Sequence, residues 1–216
     1  MGKVHSIFKV SGKVGDYVYY MLNGKPLVRK AAAKGKGPKT KGEQERALYN
    51  REFGKASAAG KVLRQALAEE VAVLNDRYLY QGVNGLMMQL RNFDPAAKGE
   101  RRVAGGLSTE QGQAAMARFQ FHKKRMHFPE LLRATRQGGK LLLQVANSTP
   151  IPFGLLEMQI NFDQGVFRKH RHSYPDGLAE GSVLIKRQFR SRKGFTDLVF
   201  VSGEGFLQGV VVAEEC

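Results

Sequence analysis

The sequence predicts an α+β protein, in which a β-hairpin and two helices precede a run of strands. An Asn23-Gly24 pair joins two strand-like stretches, apolar residues recur at helical spacing between 43 and 91, and the apolar period drifts toward two from Phe119 onward. The 216 residues are 42% apolar, which is enough for a real core. Wholesale disorder is therefore excluded.

The N-terminal part is predicted to be β-structure. Val4–Val10 has the composition of a short strand, and Tyr17–Leu22 and Lys25–Lys30 flank the Asn-Gly pair. Both central residues of a type I′ turn need a positive φ, which Asn and Gly tolerate best. A two-residue loop then pairs Leu22 with Lys25, Tyr20 with Leu27 and Val18 with Arg29.

Two helices are expected after a flexible linker. Residues 31–41 (AAAKGKGPKTK) have no hydrophobic period. Thr40 and Glu43 then form a capping box for a helix over about 43–75. Its buried stripe is predicted to contain Tyr49, Phe53, Ala56, Gly60, Leu63, Leu67 and Leu74. Small residues at 56, 59 and 60 would let another element approach closely, and a second helix covers about 78–91.

Short strands are expected in the C-terminal half. Residues 96–107 read as a loop, and Ser108 is expected to begin a short helix. Around Phe153–Phe162, apolar residues interleave with Glu157, Gln159 and Asn161, which predicts a half-buried strand. Further strands are predicted at Lys140–Ala146, Val166–His172, Ser182–Phe189, Thr196–Val201 and Leu207–Ala213. Their spacing is typical of an antiparallel β-sandwich of immunoglobulin or fibronectin type.

These elements divide the chain into four parts. They are a basic hairpin arm and linker (1–41), a helical segment (42–95), a loop with a short helix (96–118) and the β-sandwich domain (119–216). The only cysteine is Cys216, which excludes an intramolecular disulfide, and no apolar run has the length of a membrane span or a secretory signal. We therefore expect a cytoplasmic protein without a membrane span.

The positive charge is clustered along the chain. The formal net charge is +16, and residues 1–41 alone carry +9, residues 118–140 carry +6 and residues 168–193 carry +6. The rest of the chain is therefore acidic. Clusters of this kind are typical of a surface that binds a polyanion. Charges that only keep a protein soluble are spread more evenly.

Catalytic and metal-binding patterns are scarce. Residues 35–40 (GKGPKT) lack the ending of a phosphate-binding loop, and Pro38 removes an amide donor. His170 and His172 share a strand face and could ligate a metal together, but the cations around them oppose this. We expect no metal, no cofactor and no enzymatic activity.

A nucleic-acid contact is the remaining interpretation of the basic segments. Basic side chains neutralise phosphates, and aromatic rings can stack on exposed bases. The residues expected to contact phosphates are Lys9, Lys13, Lys25, Arg29, Lys30, Lys34, Lys36, Lys39, Lys41, Lys123, Lys124 and Arg125. Tyr17, Tyr19 and Tyr20 are candidates for stacking. Alternatively, these tyrosines pack on the long helix and the lysines only protect an edge strand.

One stretch of the sequence resembles a known family. The residues are S11-G-K-V-G-x-x-V-Y-Y-x-x-N-G-K-x-x-V-R29, followed by Lys39-Thr40, Gln44, Arg51 and Phe53. Together they resemble the opening of an uncharacterised family of Bacteroidota proteins, in which a glycine-framed hairpin and a helix start precede a β-rich half. The resemblance covers about residues 10–55. It implies one inherited module and no established activity.

The sequence thus predicts a non-enzymatic binding and assembly protein. Its arm would contact nucleic acid, either DNA or structured RNA, in a possible association with ribosomes. The alternative is a structural subunit of a phage-derived particle or surface assembly, whose arm contacts neighbouring protomers in a homo-oligomer. An enzyme acting on an acidic polymer is a third interpretation that lacks a catalytic pair. The identity of the polyanion and the oligomeric state stay open.

Overall fold

The structure is a computed structural model that describes residues 2–3, 11–32, 38–122, 130–146, 153–174 and 181–213. Within these ranges the chain is a mixed α+β protein with five helices and eleven strands, so the predicted class is confirmed. The chain divides into two compact units, Met1–Thr40 and Lys41–Cys216. The whole of the predicted strand Val4–Val10 and the centre of the linker, residues 33–37, lie outside the described residues.

The first unit is a small antiparallel sheet. Its strands are β1 (Gly2–Lys3), β2 (Gly12–Val14), β3 (Tyr17–Leu22) and β4 (Lys25–Lys30), in the order β1-β4-β3-β2. The predicted hairpin is confirmed, because β3 and β4 pair Leu22 with Lys25, Tyr20 with Leu27 and Val18 with Arg29. Asn23 and Gly24 have φ angles of 50° and 76°, as a type I′ turn requires.

The second unit begins with five helices. They are α1 (Lys41–Ala66), α2 (Ala68–Leu74), α3 (Leu79–Asn92), α4 (Val103–Leu107) and α5 (Glu110–Arg118). The prediction of one helix from 43 to 75 is wrong. Leu67, with φ −98° and ψ 18°, interrupts it, and this residue is fully buried. The hydrogen bonds from Leu67 N to Leu63 O and from Val71 N to Leu67 O are kept at 3.0 and 2.8 Å, so the break is confined to the backbone angles of this residue.

Helix α1 is buried along only part of the predicted stripe. Ala56, Gly60 and Leu63 are buried as expected, whereas Tyr49 and Phe53 are 57% and 50% exposed. The expected close approach is confirmed at Gly60, where an added Cβ would lie 2.6 Å from Asn84 Oδ1 of α3. The first turns of α1 therefore extend past the helices that cover the rest of it.

The segment between α3 and α5 contains more structure than the sequence predicts. Residues 96–107, predicted as a loop, include α4. The short helix begins one residue later than expected, because Thr109 is its N-cap and its hydroxyl accepts a hydrogen bond from Gly112 N at 3.1 Å. Ser108 instead ends α4, and its hydroxyl donates to Gly105 O.

The strands of the second unit form one curled sheet of seven strands. They are β5 (Glu130–Gln137), β6 (Lys140–Ala146), β7 (Phe153–Asn161), β8 (Val166–Tyr174), β9 (Gly181–Lys186), β10 (Thr196–Gly203) and β11 (Phe206–Ala213). Their order is β8-β7-β10-β11-β5-β6-β9, and all neighbours are antiparallel except β11 and β5. A two-sheet sandwich of immunoglobulin type is not confirmed.

Strand β7 separates two hydrophobic cores. On one face, Leu156, Met158 and Ile160 pack with the helices. On the other, Phe153 and Leu155 pack with residues of β5, β6 and β9 inside the curl. Glu157, Gln159 and Asn161 are buried too, so the prediction of a half-buried strand is wrong at the polar positions.

Gln208 joins the two halves of the sheet. The parallel pair β11–β5 has only two registered residue pairs, Val212 with Ala134 and Ala213 with Thr135. Nearer the start of β5, Leu131 N donates to Gln208 Oε1 at 2.9 Å, and Gln208 Nε2 donates to Leu131 O at 3.1 Å and Ala117 O at 2.8 Å. The side-chain amide thus replaces a missing rung of the backbone ladder.

None of the helices in the described ranges combines the length and the apolar content that crossing a bilayer requires.

We expect Gly106→Ala to destabilise the protein strongly. An added Cβ at this position would lie 1.8 Å from the backbone oxygen of Leu90, so α3 and α4 would have to separate. The expected cost is about 2–3 kcal/mol in the free energy of unfolding, measured by urea denaturation. Gly54→Ala is the control, because nothing lies within 4 Å of its added Cβ. It should stabilise α1 by about 1 kcal/mol. Equal effects of the two changes would contradict this account.

Candidate nucleic-acid interface

The structure describes half of the predicted phosphate contacts. Lys13, Lys25, Arg29, Lys30, Lys39 and Lys41 lie within its ranges, together with the three tyrosines. Lys9, Lys34, Lys36, Lys123, Lys124 and Arg125 lie outside the described residues. Most of the described candidates therefore belong to the hairpin sheet.

One face of the hairpin sheet carries three of these cations. The register sets Lys13, Val18 and Arg29 in one row across β2, β3 and β4. Leu22 with Lys25, and Tyr20 with Leu27, occupy the same face, because directly paired residues of antiparallel strands point to the same side. We call this the basic face, defined by Lys13, Lys25, Arg29 and Tyr20. The three cationic side chains are exposed.

The opposite face is apolar and aromatic. We call it the aromatic face, defined by Val14, Tyr17, Tyr19 and Met21. Only one predicted contact, Lys30, lies on it, opposite Tyr17. Tyr17 is 50% exposed and Met21 is 43% exposed. Of the three tyrosines predicted to stack, only Tyr20 shares a face with most of the cations.

Tyr20 is already in contact with a cation of the basic face. The Arg29 guanidinium carbon lies 6.0 Å from the centroid of the Tyr20 ring. This is the outer limit of a cation–π contact, which contributes little at an exposed site. The contact orients an aromatic ring and a guanidinium side by side on one surface. Such a pair can meet a base and a phosphate of the same nucleotide.

The described residues 11–32 of the hairpin sheet form no buried core. None of the described residues 11–32 is buried. Small sheets normally need a covered apolar face for independent stability. The turn geometry and the cross-strand pairs therefore carry much of the stability of this sheet.

A second basic region lies on the larger unit, where two buried polar side chains hold residues 187–190 against β7. Glu157 accepts hydrogen bonds from Gln188 N at 3.0 and 3.1 Å and from Phe189 N at 3.0 Å. Gln159 Nε2 donates to Arg190 O at 2.6 Å. The alternation of polar and apolar residues in β7 is visible in the sequence. The sequence does not show that these polar side chains bind residues 187–190.

These contacts bring distant cations together. On β8, Arg168 pairs with Gln159 and His170 pairs with Glu157, so both lie beside the held segment. The exposed cations of this surface are Arg168 and Arg190, and Arg192 and Lys193 follow Arg190 in the chain. We call it the C-terminal cationic surface. The charge count of residues 168–193 predicts a cluster here, but the site residues proposed from the sequence do not include it.

Two further cations of this segment face the helices. Lys169 Nζ lies 3.0 Å from Glu69 Oε1, and Arg171 forms an ion pair with the buried Glu70. Both carboxylates belong to α2, which explains how α2 is held against β8. The cations between residues 168 and 193 therefore fall into two groups. Lys169 and Arg171 are paired with carboxylates of α2, and others, such as Arg168 and Arg190, are exposed.

His172 lies at the buried end of this region. Its Nε2 is 3.6 Å from Glu157 Oε2, and its ring centroid is 4.6 Å from that of His170. Burial lowers the pKa of His172 and the neighbouring His170 lowers it further, while Glu157 opposes both. Burial likewise lowers the pKa of His122, against a backbone hydrogen bond with Leu207. In the described part of the chain, no three His, Cys, Asp or Glu residues are placed to hold a metal ion.

Stability is expected to fall as the pH falls through the range of these histidines. A pKa below 6.5 in the folded state means that the unfolded chain binds the proton first on acidification. Stability should therefore be highest above the ordinary pKa of 6.5 and decrease as the pH falls below it. Urea denaturation across this range checks it. His172→Gln should reduce the slope, which is at most about 1.4 kcal/mol per pH unit for each proton. An unchanged slope would exclude His172 as a source.

Comparison of the chain with protein-family models, with curated proteins and with solved structures finds no match.

Proposed function

We propose that this protein binds nucleic acid, DNA or structured RNA, through the basic face of its hairpin sheet, and that it acts without catalysis. The observation that carries the proposal is the row of Lys13 and Arg29, with Lys25 and Tyr20 on the same face. None of these cations forms an ion pair with a carboxylate in the ranges that the structure describes. Their charge is thus available to a polyanion.

The dimensions of the face suit a nucleic-acid backbone. Neighbouring strands lie about 4.8 Å apart, so Lys13 and Arg29, two strands apart, are separated by about 10 Å. Side chains at this separation can reach different phosphates. Each neutralised phosphate releases counterions, which makes the affinity depend steeply on salt. A β-ribbon is also a shape that can enter a groove.

The triple variant Lys13→Gln/Lys25→Gln/Arg29→Gln should weaken binding and flatten its salt dependence. If each cation neutralises one phosphate of duplex DNA, the slope of log K against log salt should fall by about 0.9 for each phosphate that is no longer neutralised. Fluorescence anisotropy with a labelled duplex and a structured RNA, from low to physiological salt, measures it. Lys30→Gln is the matched control, because Lys30 lies on the opposite face and should matter less.

A variant that lacks residues 1–41 distinguishes binding by the hairpin sheet from binding by the C-terminal cationic surface. The deletion should abolish most of the affinity if the hairpin sheet is the interface. An unchanged affinity of the deletion variant would move the interface to the C-terminal cationic surface. Absence of binding even at low salt would refute the proposal altogether.

The aromatic face favours a second candidate, a structural subunit whose arm contacts neighbouring protomers, as in a phage-derived particle or surface assembly. Val14, Tyr17 and Met21 are exposed side by side on it, and an apolar face of a small sheet gains stability when it is covered. Sedimentation of nucleic-acid-free protein decides between the two. A large symmetric oligomer that Tyr17→Ser/Met21→Ser dissociates would favour assembly, and a monomer would exclude it.

A further inference from the structure

A cavity lies between the exposed start of α1 and the segment that follows α3. Its volume is about 430 Å³, which falls in the range of small-ligand sites. The charged residues that line it are Glu45, Arg46, Glu52, Arg91, Lys98 and Arg101. All of them belong to the larger unit, and none belongs to the hairpin sheet or to the C-terminal cationic surface.

Arg91 forms the buried part of the wall. The residue is 4% exposed, and its Nη2 donates to Asn92 Oδ1 at 2.8 Å. Among the described residues, Nε and Nη1 have no hydrogen-bond acceptor. The nearest carboxylate oxygen, Glu52 Oε2, is 3.6 Å from Nη1, which is too long for a hydrogen bond. The guanidinium is therefore paired in charge with Glu52, but two of its nitrogens have no hydrogen-bond acceptor in the part of the chain that the structure describes.

Glu52 offsets one positive charge of the lining, and its carboxylate is also bound to the backbone. Its Oε1 accepts a hydrogen bond from Gly99 N at 2.5 Å. Glu45 is the only other acid among the lining residues, and four lining residues are cationic. With four cations and two acids, the lining carries a formal net charge of +2. The balance favours an anionic ligand.

The rest of the cavity wall contains an aromatic ring, and cations lie at the opening of the cavity. Tyr49 lies over the guanidinium of Arg91, at 5.1 Å from its ring centroid, yet is 57% exposed. One face of this ring is therefore open to a second planar group. Arg101 Nε donates to Ala96 O at 3.3 Å, which orients its terminal nitrogens. Arg46 and Lys98 are exposed at the rim.

We propose that this cavity binds a phosphate monoester that carries an aromatic base, as in a nucleoside monophosphate. Arg46, Lys98 and Arg101 contact the phosphate, because guanidinium and ammonium groups are the usual phosphate donors in proteins. Arg91, in the buried part of the wall, adds to the attraction for the phosphate. Tyr49 stacks on the base. The monoester is either a free mononucleotide or the 5′-phosphate of a nucleic-acid end. This inference does not depend on the function proposed above.

Calorimetric titration of the full chain with a mononucleotide and with its nucleoside tests the phosphate requirement. We expect the mononucleotide to bind at least about tenfold more tightly, a difference of about 1.4 kcal/mol. Lys98→Gln/Arg101→Gln should reduce the mononucleotide affinity about tenfold and leave nucleoside binding unchanged. Lys61→Gln is the matched control, since Lys61 is an exposed cation of α1 outside the cavity and should have no effect.

Oligonucleotides with and without a 5′-phosphate distinguish the two sources. The hairpin sheet contributes equally to the affinity for both oligonucleotides. If the 5′-phosphate increases the affinity and Lys98→Gln/Arg101→Gln removes that increase, the ligand is the end of a nucleic acid. A mononucleotide that binds without such a gain identifies the free compound. Equal affinity for mononucleotide and nucleoside, absence of binding by both, or an unchanged affinity of the double variant would overturn the proposal. The hairpin triple variant should still bind the mononucleotide.

Discussion

The amide of Gln208 is the interaction on which the rest of the larger unit depends. It bonds both backbone groups of Leu131 and the carbonyl of Ala117, so β11, β5 and the end of α5 meet at one side chain. Two registered pairs alone would be a weak junction between β7-β10-β11 and β5-β6-β9. Because the residue is 1% exposed, removing any of these bonds would leave a buried group unsatisfied.

Side chains that replace backbone partners recur where the strands meet irregular structure. Glu157 binds two backbone amides of the segment after β9, and Gln159 binds a carbonyl of the same segment. Asn161 Oδ1 accepts from the amides of Asp163 and Gln164 in the turn to β8. These buried side chains bind backbone groups of irregular segments, and Gln159 thereby places Arg190 near Arg168, the strand partner of Gln159 on β8.

The features that were predictable from the sequence are those set by neighbouring residues. The hairpin register follows from Asn23 and Gly24 alone, and the close approach at Gly60 follows from the absence of a side chain. The exposure of Tyr49 and the burial of Glu157 depend on which distant elements pack against them. Periodicity does not carry that information, so the sequence interpretation fails at these positions.

The same limit applies to the candidate sites. Charge counting locates basic segments correctly, because it needs only residue types. It does not show that Tyr20 shares a face with Lys13 while Tyr17 does not; the face of each tyrosine follows from the strand register. It also misses that Glu70 neutralises Arg171, and that Arg91 lies beside Lys98 and Arg101 in one wall. These are contacts across long stretches of chain.

The position of β11 has a consequence for the order of folding. This strand lies between β10 and β5, and Leu207 belongs to the core that the helices share with β7 and β10. During synthesis, the apolar faces of α1, α3 and β7 must therefore wait for β11 before that core can close. In the first unit, β2 pairs with β3 and β3 with β4 through contacts that are local in the chain, whereas β4 also pairs with β1. The register that sets Lys13, Val18 and Arg29 in one row is therefore made by local strand pairs that do not require β11.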